Sequence, residues 1–125
     1  MSHLLDVNVL LAAIWTTHPQ HEKSQAWLKG RQVTLCPISE LGFIRISSGR
    51  AFQIPMSSVR QGLEEFVRQR SARRIPDDLP AMDSRPARTA QVMDFYLADL
   101  AAKHGLKLAT FDQDIRHPSA ELIPS

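Results

Sequence analysis

Residues 4–11 read Leu4-Leu5-Asp6-Val7-Asn8-Val9-Leu10-Leu11, an apolar stretch interrupted by a single charge. The residues around Asp6 otherwise read as wholly buried. Burying an ionised carboxylate is costly unless a cation or several hydrogen-bond donors compensate. Asp6 therefore has two readings that this segment leaves open. It belongs to a charged site, or it caps a helix that begins near Asn8.

Beyond this segment, short apolar runs alternate with longer stretches of helical periodicity, without internal repeat, low-complexity tract or linker. That alternation predicts an α/β fold: one domain over residues 1–125, with a central, mainly parallel sheet of four to five strands and helices on both faces. Residues 3–7 read as the first strand, followed by helices over Asn8 to Trp15 and Pro19 to Leu28, with Gly30 as the stop. The second strand is Val33 to Cys36. After Pro37 a short helix carries Leu41, Ile44 and Ser48 on one side and closes at Gly49.

Ser57 to Arg70 places Val59, Leu63, Phe66 and Val67 at helical spacing and reads as an amphipathic helix. Ala72 to Ile75 reads as a short third strand, and the proline-rich segment 76–86 as a loop. Thr89 to His104 is the clearest helix, with an apolar stripe of Met93, Leu97, Leu100, Ala101 and His104 and a stop at Gly105. Leu106 to Thr110 and Glu121 to Ile123 read as the fourth and fifth strands.

The chain has 125 residues, long enough to bury a stable core without disulfides or a structural metal. With 43% hydrophobic and 22% charged residues it has a globular composition, outside the disordered and membrane classes. No apolar run approaches the ~18 residues of a membrane span, and Met1-Ser2-His3 does not open a secretory signal. The expected location is the cytoplasm, with no membrane partner. The single cysteine, Cys36, reads as a small buried hydrophobe.

A net charge of +2 and a pI near 9.0 are compatible with a polyanionic partner without establishing one. Arg60, Arg68, Arg70, Arg73, Arg74, Arg85 and Arg88 crowd the middle of the chain. A phosphate backbone entering an acidic cleft needs such a positive rim, but a solvated helix face with a polar loop explains the same pattern.

Four acids, Asp6, Glu40, Asp94 and Asp112, fall where apolar segments meet turns or helix starts. In doubly wound sheets ligands bind at the carboxyl ends of the strands, where Asp6 and Asp112 fall. Glu40 lies in the first turn of its helix, where a negative charge also complements the helix dipole. At about 100° per residue Asp99 points about 140° away from Asp94, so the two cannot share a cleft. Asp112 and Asp114, two apart in an extended segment, project to the same side. Gathered carboxylates are the ligand set of a hard divalent cation.

The chain resembles the PIN-domain ribonucleases, and among them the VapC toxins of bacterial toxin–antitoxin pairs. The resemblance covers nearly the whole chain. It rests on Leu5-Asp6-Val7-Asn8-Val9-Leu10-Leu11, on Cys36-Pro37-Ile38-Ser39-Glu40-Leu41-Gly42-Phe43-Ile44-Arg45, and on Asp94-Phe95-Tyr96-Leu97-Ala98-Asp99-Leu100-Ala101 followed by Leu108-Ala109-Thr110-Phe111-Asp112. It implies an acidic quartet of Asp6, Glu40, Asp94 and Asp112, with Asn8, Thr110 and Ser39 as matching polar neighbours. The extra acid in Gln113-Asp114-Ile115 departs from the pattern.

The resemblance further implies a magnesium-dependent endoribonuclease, with manganese as an alternative ion, that hydrolyses RNA phosphodiester bonds. In this scheme Asp6 and Asp94 hold the metal, and Asp112 binds a second ion or holds the first through water. Glu40 positions or deprotonates the attacking water. Arg45 is placed to touch a substrate phosphate or an antitoxin carboxylate. The implied partners are RNA and a cognate VapB-like antitoxin. Homodimers are common in the resembled family, and spacing alone singles out no interface for one here.

Two other function classes compete: a non-catalytic RNA-binding or regulatory module on the same fold, and a phosphotransfer domain with an aspartyl nucleophile. The intact set of four acids argues against the first. The second wants a paired acid directly after the first strand, which Asp6-Val7-Asn8 lacks. His18 and His21 have a zinc-like spacing without a third ligand nearby. Trp15 and Trp27 read as core residues or interface anchors.

Overall fold

The computed structural model describes residues 2–124. Five strands, β1 (Ser2–Leu5), β2 (Gln32–Leu35), β3 (Arg73–Arg74), β4 (Lys107–Thr110) and β5 (Ala120–Leu122), form one sheet in the order β3-β2-β1-β4-β5. All four pairings are parallel. The helices are α1 (Val7–Ile14), α2 (His21–Leu28), α3 (Pro37–Ser48), α4 (Met56–Arg70) and α5 (Val92–Lys103), with 3₁₀ turns at Ala81–Asp83 and Thr89–Gln91. None of the described helices is long and apolar enough to cross a membrane.

Strand periodicity sorts the core into two layers, because successive side chains leave a strand on opposite faces. Leu5, Val33, Leu35 and Ala109 pack with α1, α2, α3 and α4 on one face. Leu4, Cys36 and Leu108 pack with Tyr96, Leu97, Leu100 and Ala101 of α5 on the other. The expected parallel sheet with helices on both faces is therefore what the chain adopts. Chain order reverses across the sheet at β1 and β4, and this switch point places the loops after those two strands beside each other.

Most element boundaries lie within one or two residues of those read from sequence. α1 starts at Val7 because Asp6 caps it, and α2 starts at His21, past Pro19. Cys36 is buried as expected but caps α3 instead of ending β2. Gly30 follows the end of α2 with φ +79, the left-handed geometry that glycine adopts without strain.

The buried face of α3 differs from the expected one. Leu41 is 64% exposed, while Ser39, Phe43 and Ser47 are buried. The stripe is set by close packing against α1. A Cβ at Gly42 would lie 2.5 Å from Val7 Cγ2, Trp15 stacks on Phe43 with centroids 5.5 Å apart, and the Trp15 indole N–H donates to Ser47 Oγ at 2.8 Å. Small residues and one aromatic fit this interface better than the aliphatic set.

On α5, Met93 is 53% exposed, and Tyr96, Leu97, Ala98, Leu100 and Ala101 make the buried stripe.

Trp15 and Trp27 both pack against the core, as the core reading has it. Trp27 also lies edge-on to the buried His3, with centroids 4.8 Å apart.

The link from β4 to β5 is unusual for a parallel crossover. Nine residues, 111–119, join two neighbouring parallel strands without a helix, where a dozen or more is usual. This taut crossover carries Asp112 and Asp114. It is tied to α5 by Gln91, whose Nε2 donates to the Asp114 carbonyl at 3.0 Å, and by His117, whose Nε2 lies 2.6 Å from Asp99 Oδ1.

Candidate active site

Asp6 closes β1 and opens α1. Its Oδ1 accepts the Val9 amide at 2.8 Å, and its own amide donates to the Ala109 carbonyl at 3.2 Å. The cap reading of Asp6 is thus realised. The same side chain is 2% exposed, so it is also a buried acid. Burial pushes its carboxyl up to about 7; the Thr110 hydroxyl and the Val9 amide pull against this, and the charges of Asp94 and Asp112 add to it. Asp94, in the first turn of α5, is raised by burial first and by Asp112 second.

Asp6, Asp94 and Asp112 therefore feel one another, although they come from the end of β1, the start of α5 and the loop after β4. Thr110 organises two of them. It is buried beside Asp6, and its hydroxyl accepts the Asp112 amide at 3.0 Å. Asp114 is exposed, and its amide donates to Asp112 Oδ1 at 2.9 Å, so it supports Asp112 from behind. Asp99 faces His117, away from these acids, as helix geometry requires.

Glu40 sits in the first turn of α3 as read from sequence, and its carboxylate is paired. Oε1 accepts from Arg74 Nη2 at 3.1 Å, across the end of the sheet. Among the described residues Asp6, Asp94 and Asp112 have no basic partner within ion-pair distance. Three uncompensated acids and one paired acid is the electrostatic pattern of the site.

A cleft of about 490 Å³ opens over Asp94. Val7, Asn8, Arg45 and Ile46 form part of its wall, and the exposed Leu41 and Met93 stand at its apolar side. Asn8 and Arg45 thus share one cleft with Asp94, while Thr110 is buried and does not line it.

As the side chains stand, no group of three His, Cys, Asp or Glu among the described residues is disposed to close on a metal ion. Asp6 Oδ1 accepts from the Val9 amide, Asp112 Oδ1 from the Asp114 amide, and Glu40 Oε1 from Arg74. The donor chemistry nonetheless fits a hard divalent cation, because all three converging groups offer carboxylate oxygen and their mutual repulsion lacks a counter-charge. His18 and His21 make no such set. His18 Nδ1 accepts the Gln20 amide and His21 Nδ1 meets the Ala12 carbonyl, so both serve the α1–α2 connection.

Sequence reasoning did not single out Gln91 and His117, which hold the Asp112 crossover, or the pairing of Arg74 with Glu40. Neither spacing nor periodicity carries a signal for them, since each contact joins segments 18 to 34 residues apart.

Residues 3–121 match the family model described as PIN domain. The chain is similar to "Ribonuclease VapC44" of Mycobacterium tuberculosis, with 35% identity covering 92% of this chain and 89% of that protein. It is likewise similar to "Ribonuclease VapC39" of the same organism, with 34% identity over 90% of this chain and 89% of the relative. Among solved structures, VapBC2 from Rickettsia felis, bound to a DNA fragment from its promoter, has the same fold. The TM-score is 0.60 at 16% identity, covering 98% of this chain and 97% of that one. By its family-model match and by its identity to the VapC proteins over nine-tenths of its length, this chain belongs to the PIN-domain family, in its VapC group.

Proposed function

We propose that this protein is a divalent-metal-dependent endoribonuclease, the toxin of a toxin–antitoxin pair acting in the cytoplasm. The observation that carries this reading is the convergence of Asp6, Asp94 and Asp112 at the strand switch point without a basic partner among the described residues. The names of the relatives, ribonucleases at 34–35% identity, support the substrate class.

In this reading Asp6, Asp94 and Asp112 hold magnesium, or manganese in its place. The ion supplies charge stabilisation at a phosphoryl oxygen and lowers the pKa of a water. The protein's own groups do the rest. The Val9 amide and the Thr110 hydroxyl hold Asp6 in place. Thr110 and the Asp114 amide orient Asp112. Glu40, held by Arg74, is assigned the positioning of the attacking water. Asn8 and Arg45, on the wall of the cleft, are assigned to the RNA backbone, with Arg45 offering a fork of donors to a phosphate.

The partner in this reading is a cognate antitoxin whose segment covers the cleft, with Leu41 and Met93 as the apolar ground on which it rests. Inhibition then follows mass action and is reversible. Incubating the purified chain with total RNA, with magnesium and with a chelator, tests the activity. Discrete fragments that appear with magnesium and vanish with chelator are expected. RNA left intact with every divalent ion, or cleaved equally by Asp6→Asn, overturns the reading.

A further inference from the structure

We propose that the recess walled by Arg88, Gln91, Phe95 and Arg116 is a nucleotide subsite that holds the RNA strand beside the acid cleft; it rests on the ribonuclease reading above. The recess has a volume of about 270 Å³ and is completed by Ala87 and Asp114. Phe95 follows Asp94 on α5, and Asp114 lies two residues past Asp112, so the recess and the cleft share the first turn of α5 as a common wall.

Three features single it out. Arg88 and Arg116 are exposed, and neither forms an ion pair among the described residues, although Asp114 stands in the same recess. Their floor is firm: Gln91 is 8% exposed and bound to the Asp114 carbonyl, and the Phe95 ring is braced by His117 with centroids 5.0 Å apart at 75°. The chemistry is mixed rather than simply cationic. Guanidinium groups take phosphate oxygens, an aromatic ring takes a base, and the Asp114 carboxylate accepts from a ribose hydroxyl or an exocyclic amine. A free inorganic anion would gain less there, because Asp114 repels it.

The cleft needs such a subsite. Three neighbouring carboxylates repel an approaching phosphate backbone, and cations flanking them offset that repulsion. Arg45 does so within the cleft, and Arg88 and Arg116 do so in the recess that borders it along the first turn of α5. The strand then meets a positive group in each.

Binding of a labelled single-stranded RNA oligonucleotide, measured by fluorescence anisotropy in chelator over a range of salt, tests this without cleavage. Arg88→Ala/Arg116→Ala is expected to weaken binding about tenfold near 0.1 M salt. The slope of log affinity against log salt should fall by about 1.4, the value for two single-strand phosphate contacts. Arg88→Lys/Arg116→Lys should keep the slope, and in magnesium the alanine pair's loss should appear in KM rather than kcat. Unchanged affinity and slope, in a variant with a wild-type melting temperature, overturns the subsite. So does a variant that keeps its RNA affinity and loses only the antitoxin. Wild-type protein that binds RNA through these arginines but never cuts it keeps the subsite and sinks the nuclease reading. Wild-type protein without RNA affinity sinks both.

Discussion

The carboxylate of Asp99 meets Nε2 of His117 at 2.6 Å, tying the middle of α5 to the short crossover that carries Asp112. His117 Nδ1 accepts the Ser119 amide at 3.0 Å, so Nε2 carries the hydrogen and donates it to Asp99. With the Gln91 bond to the Asp114 carbonyl, this latch sets the separation of Asp94 and Asp112, because one acid rides on α5 and the other on the crossover. The pair acts on the acids through position alone.

His117→Ala is expected to lower stability by roughly 2 kcal/mol, the scale of a charge-assisted hydrogen bond with partial burial. Amide exchange should speed up across residues 111–116, and magnesium should bind more weakly in calorimetry. His117→Gln should recover part of both. Unaltered exchange in the crossover of the alanine variant would show that the latch does not hold it.

Asp6 makes stability depend on pH. Its folded pKa of about 7 lies above the ordinary 3.8, so the folded metal-free protein holds the extra proton. Stability from this group is fully present below about pH 4 and is lost as pH rises through about 7, a change on the order of 4 kcal/mol. Asp6→Asn keeps a good helix cap without the charge. The variant should therefore melt higher than wild type at pH 8 in chelator, with the gap closing toward pH 4 and narrowing at pH 8 when magnesium is added. Thermal scans across pH measure this, and parallel curves for the two proteins would refute it.

Asp112 and Asp114 should separate cleanly. Asp112 acts on both Asp6 and Asp94, while Asp114 is exposed and contributes its amide and carbonyl to the local structure. Asp112→Asn is expected to reduce magnesium affinity and cleavage by about 100-fold or more, on the scale of a lost charge-stabilising group at a reacting phosphate. Asp114→Asn should reduce magnesium affinity less than threefold, a figure on the scale of surface electrostatics. Equal losses in the two variants would place Asp114 among the ligands.

Gly42 lets α3 approach the start of α1. A Cβ there would stand 2.5 Å from Val7 Cγ2, and a β-branched residue in a helix has little freedom to turn aside. Overpacking of this kind costs about 1–3 kcal/mol, more than the helix propensity gained from alanine. Gly42→Ala should thus destabilise the protein, and Val7→Ala/Gly42→Ala should restore it. Denaturant midpoints that show no coupling between the two positions would remove the close approach as the cause.

The strands were legible because parallel strands buried on both faces read as short apolar runs, and Asp6 stood out because it breaks one. Helix α5 was legible as a helix with Leu97, Leu100 and Ala101 on its buried stripe, yet Met93, read with them, is exposed and borders the cleft. On α3 the apolar residues misled, because Gly42, Phe43 and Ser47 meet Val7 and Trp15. At the site, Asp6, Asp94 and Asp112 were readable as acids at element ends. Their mutual effect and the pairing of Glu40 with Arg74 depend on strand order, which no local pattern encodes. The same holds for Gln91 and His117, whose partners lie on another element.

The position of β1 at the centre of the sheet also bears on how the protein is made. β1 precedes the other four strands in chain order, and one of its two neighbours is β4, which begins at Lys107. Asp94 and Asp112 follow Asp6 by 88 and 106 residues. A chain still emerging from the ribosome therefore presents Asp6 well before Asp94 and Asp112, and the long loop must close before β4 can join β1. Assembly of the acids waits on synthesis through Asp112, so a prematurely terminated product that stops before β4 lacks the full constellation of carboxylates.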